Sequence, residues 1–344
     1  MNTSPPRYDR VTVFGGATID RIARSEGPPV MGASNPGHVE RRPGGVAFNV
    51  ASILARLGVP TRLVTRIGAD DDGEAIIAEA RTAGVDTAAT TVSPDTATAS
   101  YHAIFDHRGD LVIGVAAMDI CEELTPAVVG QAAGAGAGAF WVVDANLPTD
   151  TLDFLVEQAA VTGHPLAALT VSPAKAVRLM PLLDRIGYLF ANKREAAALL
   201  GRDPATAAAP ATLAADLAGM RPTRIVVTGG TEPVVTASGP EIRSHLPLRA
   251  DVNGVNGAGD SLAAGTIAAI TEGRTLSEAI RFGLAAAALT LEVGPGAHQP
   301  SALVVEMGEL DLQRAFLGLR PPSEDLEDQP GPVENLGVPF PFEV

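Results

Sequence analysis

The sequence predicts an α/β fold whose mostly parallel central sheet is covered by helices on both faces. Three observations carry this reading. From residue 139 onward, short apolar strand-like runs alternate regularly with helical ones, the pattern of parallel strands joined by crossover helices. Polar clusters fall where the strand runs end, at Asp144/Asn146, Asn192/Glu195 and Thr228/Gly230, and ligands in such folds bind beyond the carboxyl ends of the strands. The chain has 344 residues, 46% of them hydrophobic, enough for one large α/β domain or two small ones with a sizeable core.

Taken in order, Val11–Gly15 reads as a buried strand ending at Gly15-Gly16. Ala17-Thr18-Ile19-Asp20 follows without the third glycine and immediate helix of a dinucleotide fingerprint. A loop rich in Gly and Pro then runs through Pro43. Gly44 and Gly45 open an amphipathic helix with Val46, Val50, Ile53, Leu54 and Leu57 on one face, closed by Gly58. Asn49 lies off the centre of that face, near the glycines. Residues 61–67 read as a strand, and Asp70-Asp71-Asp72-Gly73 as an acidic turn that caps the next helix. It does not complete a calcium loop. Residues 99–105 and 111–115 alternate around Asp106–Asp110 as a β-hairpin.

From there the alternation is regular. Strands are expected at 139–143, 166–171, 186–190 and 224–227, with helices at 152–160, 174–180, after Asn192 and at 213–218. Val234–Ala237 reads as an antiparallel strand, and Leu276–Leu291 as a second late helix. Trp141 falls in a core strand.

Composition excludes several classes. The net charge of −15 argues against a general nucleic-acid or membrane-surface binder. One cysteine, Cys121, excludes an internal disulfide framework and fits a reducing cytoplasm. The first residues hold no apolar signal core, and no run approaches membrane-spanning length, so the expected location is cytoplasmic. Six scattered histidines give no zinc spacing and no Cys/His nucleophile pair. Residues 321–344 hold six acidic residues, no Lys or Arg and six of the 27 prolines, and are expected to be a disordered tail after a domain spanning 1–320. Lys175 and Lys193 are the only lysines beside 23 arginines.

The stretch Val252–Gly265 concentrates the chemistry. Gly257, Ala258 and Gly259 precede Asp260 where a loop becomes a helix. Free amides and the positive end of the helix dipole make such a turn an anion site, and glycine lets backbone approach a phosphate. A carboxylate there repels phosphate unless it takes the proton from a hydroxyl that attacks the phosphate. The alternative is a glycine turn with Asp260 as a helix cap.

Two stretches together resemble the signatures of the ribokinase-like (PfkB) family of sugar and nucleoside kinases: Arg42-Pro43-Gly44-Gly45-Val46-Ala47-Phe48-Asn49 and Asn256-Gly257-Ala258-Gly259-Asp260-Ser261. The likeness covers about residues 10–303 and implies a mostly parallel central sheet between helices with a small β-sheet lid, from about 20–42 and 90–115. Within the family the chain is most similar to pseudouridine kinases, through Gly32–Gly37, Tyr101–Ile104, Ala116–Ile120, Asp144–Leu147 and Val171–Ala176. The resemblance implies ATP-dependent phosphorylation of a ribosyl 5′-hydroxyl with Asp260 as general base and Gly257, Ala258 and Gly259 as the anion hole. Asp20, Gly44, Gly45 and Asn49 would hold the sugar. Asn192, Glu195, Thr228, Gly230, Asn256 and Lys175 would serve ATP, with Glu195 meeting Mg²⁺ through water.

Gly254 and Asn256 stand where the family usually has Asp and Thr, which leaves the monovalent-cation site open. Ribokinase, fructokinase or ketodeoxy-sugar kinase activity is the alternative, and a non-catalytic sugar-binding regulator the other class. Each role also has a plainer reading. Asp20 could cap a turn, Asn49 could be an exposed helix residue, Glu195 a first-turn dipole partner, and Asp144 and Asn146 caps of the following helix. Lys175 could be surface charge, and Lys193 reads as solvent-facing. His102 reads as a strand residue or a lid contact to the base. A lid with exposed apolar residues could pair two copies into a homodimer.

Overall fold

The computed structural model describes residues 6–133, 138–220, 224–250 and 256–293. Gly254 and the expected tail at 321–344 lie outside them. Six strands run parallel in the spatial order Thr61–Val64, Arg10–Phe14, Ala139–Asp144, Leu166–Leu169, Tyr188–Asn192 and Arg224–Gly229. Glu232–Ser238 and Glu241–His245 then turn back antiparallel to complete one eight-stranded sheet.

Successive side chains leave a strand on opposite faces, so each strand feeds two cores. In Ala139–Asp144, Phe140 and Val142 join one buried cluster while Trp141 and Val143 join the other. The first cluster is covered by helices Val46–Arg56, Asp71–Thr82, Ala258–Thr271 and Leu276–Val293, through residues such as Phe48, Ile76, Ile267 and Ile280. The second is covered by helices Thr149–Thr162, Lys193–Leu199 and Pro210–Met220, through Leu152, Ala197 and Leu213. Trp141 is a core residue, packed against Phe14 at 5.2 Å between ring centroids and against His164 at 4.9 Å.

Helices Ala258–Thr271 and Leu276–Val293 approach each other closely because small residues line their contact. A Cβ at Gly283 would lie 2.2 Å from Thr266 Oγ1 and 2.4 Å from the Leu262 carbonyl oxygen. Ser261, beside Asp260, accepts a hydrogen bond from the Thr290 hydroxyl at 2.6 Å, which ties the start of one helix to the end of the other.

A separate four-stranded sheet projects from the C-terminal side of the first strand, in the order Gly37–Gly44, Thr18–Ser25, Ser100–Phe105, Leu111–Ala117. The Gly- and Pro-rich stretch through Pro43, read from composition as a loop, therefore contains a hairpin whose first strand is half buried, through Ile19 and Ile22, and whose second is charged and mostly exposed. Thr91–Ser93 is not part of this sheet. It pairs with Arg66–Gly68 in a two-stranded sheet of its own, which also splits the strand expected over 61–67 into Thr61–Val64 and Arg66–Gly68. Arg21 and Arg41 anchor the small sheet to helix Asp71–Thr82 by ion pairs to Asp72, both at 2.6 Å. Asp70 caps that helix by accepting from the Gly73 amide at 2.8 Å, as expected.

Strand Glu241–His245 and helix Pro126–Ala133 had no counterpart in the sequence reading. The former is exposed along nearly its whole length and so lacks the apolar alternation that marks a strand. Lys193, read as solvent-facing, pairs with Glu232 at 2.7 Å. Among the described residues no helix is long and apolar enough to cross a membrane.

The helix contact gives a direct test. Gly283→Ala forces a methyl group into backbone and should lower the unfolding free energy by roughly 1–3 kcal/mol, read as a fall in the urea midpoint with unchanged slope. An unchanged midpoint would show that the two helices are less tightly apposed than described.

Candidate active site

Two helix starts meet at the C-terminal edge of the sheet. Helix Ala258–Thr271 begins after Gly257, whose φ of 80° is the left-handed conformation that glycine adopts without strain. The Ser261 amide is the first to find a carbonyl within the turn, that of Gly257 at 2.9 Å. The amides before it belong to the first turn of the helix, whose N–H groups have no partner within the helix, and Asp260 projects from that turn. Helix Val46–Arg56 begins after Gly45, and its Asn49 reaches Asp260: Asn49 Nδ2 donates to Asp260 Oδ2 at 2.8 Å, joining residues 211 apart in sequence. Burial pushes the Asp260 carboxyl up to about 7. The Asn49 hydrogen bond opposes that rise, while the nearby charges of Asp144, Glu195 and Asp20 reinforce it.

Asp20 stands beside this pair on the first strand of the small sheet. Its carboxylate accepts from Thr18 Oγ1 at 2.8 Å, and it lies opposite Arg42 and Tyr101 in the strand register. Burial raises its pKa, countered by Thr18 and by the charge of Arg42. A Cβ at Gly44 would come within 2.4 Å of Asp20 Oδ2, so the first glycine of the pair is what admits this carboxylate.

Asp144, 1% exposed, ends the central strand. Its Oδ1 accepts from the Asn146 amide at 2.9 Å. Its Oδ2 accepts from the Gly16 amide at 3.0 Å, the Ala47 amide at 3.2 Å and Asn146 Nδ2 at 3.0 Å. The Lys175 ammonium donates to Asn146 Oδ1. Burial raises the Asp144 pKa, and these N–H groups with the Lys175 charge oppose it. Asp144 and Asn146 are thus not caps of the following helix, which starts after Pro148 without a side-chain cap. Lys175 is half-buried in this cluster rather than lying as free surface charge.

The neighbouring strand ends build a second group. Asn192 and Glu195 form a capping box: Glu195 N donates to Asn192 Oδ1 and Asn192 N to Glu195 Oε2, both at 2.9 Å. The Thr170 hydroxyl also donates to Glu195 Oε2. Thr228 lies opposite Asn192 in the parallel register, and Gly230 turns the chain with φ 67°.

The sequence reading places Thr170 and Val171 at the end of a strand and assigns neither of them the role it has here. The Ser172 amide donates to the Thr170 carbonyl oxygen at 2.8 Å, closing a three-residue turn around Val171 at φ 68°. A β-branched residue pays roughly 1–3 kcal/mol to hold this conformation. The turn stops the strand at Leu169 rather than 171, aims Thr170 at Glu195 and starts the short helix Pro173–Ala176 that carries Lys175. Pro173 signals the extended Ser172 before it, but nothing in the sequence marks the inverted φ at Val171.

The structure thus brings Asp20, Gly44, Gly45, Asn49 and the Gly257–Asp260 turn together, with Asn192, Glu195 and Thr228 on adjacent strand ends. Asn256 is exposed immediately before the turn. Among the described residues no three His, Cys, Asp or Glu side chains gather to hold a metal ion. A site of this kind offers a carboxylate poised near neutrality in the first turn of a helix, a combination suited to deprotonating a hydroxyl.

Known proteins resemble this chain along most of its length. The family model described as pfkB family carbohydrate kinase matches residues 9–301. A pseudouridine kinase of Escherichia coli is 28% identical over 291 residues, covering 82% of this chain and 90% of that protein. A ribokinase of Bacillus subtilis is 24% identical over 82% of this chain and 92% of its own length. Among solved structures, a carbohydrate kinase from Agrobacterium tumefaciens is 38% identical with a TM-score of 0.75, covering 91% of this chain and 98% of that one.

The Asn49–Asp260 contact sets an expectation for titration. With carboxyl-labelled aspartate, the Asp260 resonance should titrate with a midpoint near 7. In Asn49→Ala the midpoint should rise, because the hydrogen bond that favours the ionised form is gone. A midpoint near 4 would contradict the burial assigned to this carboxyl.

Proposed function

Because this chain belongs to the pfkB family of carbohydrate kinases, and is a phosphotransferase with an alcohol acceptor, we propose that it transfers the γ-phosphoryl group of ATP to the 5′-hydroxyl of pseudouridine. The observation that carries the mechanism is the Asn49–Asp260 hydrogen bond, which sets the base between the sugar-side helix and the phosphate-side turn. The choice of pseudouridine is supported by the similarity to the E. coli enzyme over most of both chains. A second reading, a ribokinase, fructokinase or ketodeoxy-sugar kinase, draws support from the B. subtilis ribokinase. A non-catalytic sugar-binding regulator has no use for a carboxylate held near neutrality at an anion site.

Asp20, Gly44, Gly45 and Asn49 hold the ribosyl hydroxyls. Asp260 in its ionised form accepts the proton of the primary hydroxyl as that oxygen attacks phosphorus. The amides of the Gly257–Ala258–Gly259 turn meet the charge that develops on the transferred group. Asn192, Glu195, Thr228, Gly230 and Asn256 line the nucleotide side. Lys175 uses one N–H on Asn146 and has others for a phosphate oxygen. Glu195 is a buried acid with Asn192 and Thr170 on Oε2, and its charge fits contact with Mg²⁺ through water rather than a protein cage. When bound, Mg²⁺ would neutralise charge on the ATP phosphates. The small sheet would close over the sugar and exclude water. A location in the cytoplasm is supported by the single buried cysteine, Cys121.

The outer face of the small sheet carries an apolar row. Ala23 lies opposite Val39 and Ile104, and Ile104 opposite Ile113. Val39, Ile104, Ile113 and the nearby Val115 are exposed. This row supports pairing of two copies through their lids.

ADP release measured with pseudouridine, uridine, ribose and fructose should be fastest per KM with pseudouridine. Asp260→Asn should lose at least about 100-fold in kcat while retaining ligand binding. Unchanged turnover in that variant removes Asp260 from the chemistry, and no stimulation of ADP release by any acceptor removes the kinase reading. By sedimentation, the protein should be a dimer and Ile113→Asp a monomer. A monomeric parent would leave the lids unpaired.

A further inference from the structure

Helix Val46–Arg56 starts without the usual means of satisfying its first amides. Its N-cap is Gly45, which has no side chain, and no residue in the N-cap position accepts from the first turn. A normal cap is a side-chain oxygen at that position, bonded to the amide two or three residues on. Here the acceptor arrives from elsewhere in the fold. Asp144 Oδ2 takes the Ala47 amide at 3.2 Å, across 97 residues of sequence. The same oxygen takes the Gly16 amide, at the turn that leads into the strand carrying Asp20. A carboxylate in this place also meets the positive end of the helix dipole.

The surroundings are built for it. A Cβ at Gly15 would lie 2.3 Å from Asp144 Cγ, so the turn at Gly15-Gly16 leaves just the room the carboxylate fills. Asn146 supplies two further N–H groups, and the Lys175 ammonium is held one hydrogen bond away on Asn146 Oδ1. Every group that Asp144 meets through these bonds is a donor, as an ionised carboxylate requires. Two residues beyond Ala47, the same first turns present Asn49 to Asp260.

We propose that Asp144 is a positioning residue for phosphoryl transfer: it caps in trans the helix that bears Asn49, and so keeps the Asn49 amide aligned on the Asp260 carboxylate. This rests on the kinase reading above. Asp144 does not touch the reacting groups. It acts through the start of one helix, and through Gly16 it fixes the entry of the Asp20 strand to the same point. An amide in its place keeps the size but turns one acceptor into a donor facing N–H groups.

The experiment is a double-mutant cycle on kcat, at saturating ATP and acceptor, with Asp144→Asn and Asn49→Ala. Asp144→Asn should lower kcat by roughly 10- to 100-fold, the scale of a small misplacement in a site, a larger factor than its change in the KM for ATP, which Asp144 reaches only through Asn146 and Lys175. Asn49→Ala should then cost far less in the Asp144→Asn protein than in the parent, because both changes spoil one alignment. Multiplicative losses, or an Asp144→Asn protein as fast as the parent, overturn the proposal. A parent that turns over no acceptor defeats the kinase reading instead. In that event, or if Asp144→Asn does not fold, amide hydrogen exchange on the unmutated protein decides whether the cap exists. Protection of the Gly16 and Ala47 amides comparable to the central strand amides supports it, and exchange at the rate of free loop amides overturns it.

Discussion

The hydrogen bond from Asn49 to Asp260 is the contact on which the rest of the architecture depends. A carboxylate facing phosphate is an electrostatic liability, and three further acids stand close enough to raise its pKa. A single neutral amide both aims it and moderates that rise. To place the amide, the chain must bring the start of an early helix against the start of a late one. The parallel sheet does this by ending its strands at one edge, where both helices begin. The same topology delivers Asp144, Asn192 and Thr228 to that edge, each from the end of a different strand.

Packing explains why the glycines cluster where the carboxylates do. Gly15 and Gly44 leave space that Asp144 and Asp20 occupy. Burial makes these acids costly, and the cost is met locally by amides, hydroxyls and the Arg42 and Lys175 charges. Polar groups this well supplied with partners are rigid, and rigidity is what an aligned proton acceptor needs. Among the described residues, Val171 alone outside glycine holds an inverted φ, and that one dihedral angle serves both Glu195 and Lys175.

Much of this was legible in the sequence because it follows from periodicity. The alternation after residue 139 yields the parallel sheet, and the two glycine-bearing stretches mark both helix starts. Asn49 and Asp260 were singled out separately, one for the sugar and one for the proton. Their direct contact was not visible, since spacing along a chain carries no information about which distant ends converge. Asp144 reads as a local cap because sequence reasoning looks to near neighbours; Asn146 is one of them, but the Gly16 and Ala47 amides come from two other elements. The hairpin before Gly44 read as a loop because its second strand, Gly37–Gly44, is charged and exposed and shows no apolar alternation. The turn at Val171 has no compositional signature at all. The residues after 293 and the stretch holding Gly254 fall outside the described structure, so the acidic tail and the cation question stay with the sequence.

The span between Asn49 and Asp260 also has a meaning in time. Their contact joins positions 211 residues apart, and ribosomes add roughly 5–20 residues per second. The sugar-side helix therefore exists for about 10–40 seconds of synthesis before the carboxylate it steadies has been made. A nascent chain that carries the residues of the first strands and the small sheet still lacks Asp260 and the turn before it. With Asp260 as the proposed base, catalytic competence arrives only near the end of translation, so an interrupted chain is silent rather than a wasteful consumer of nucleotide.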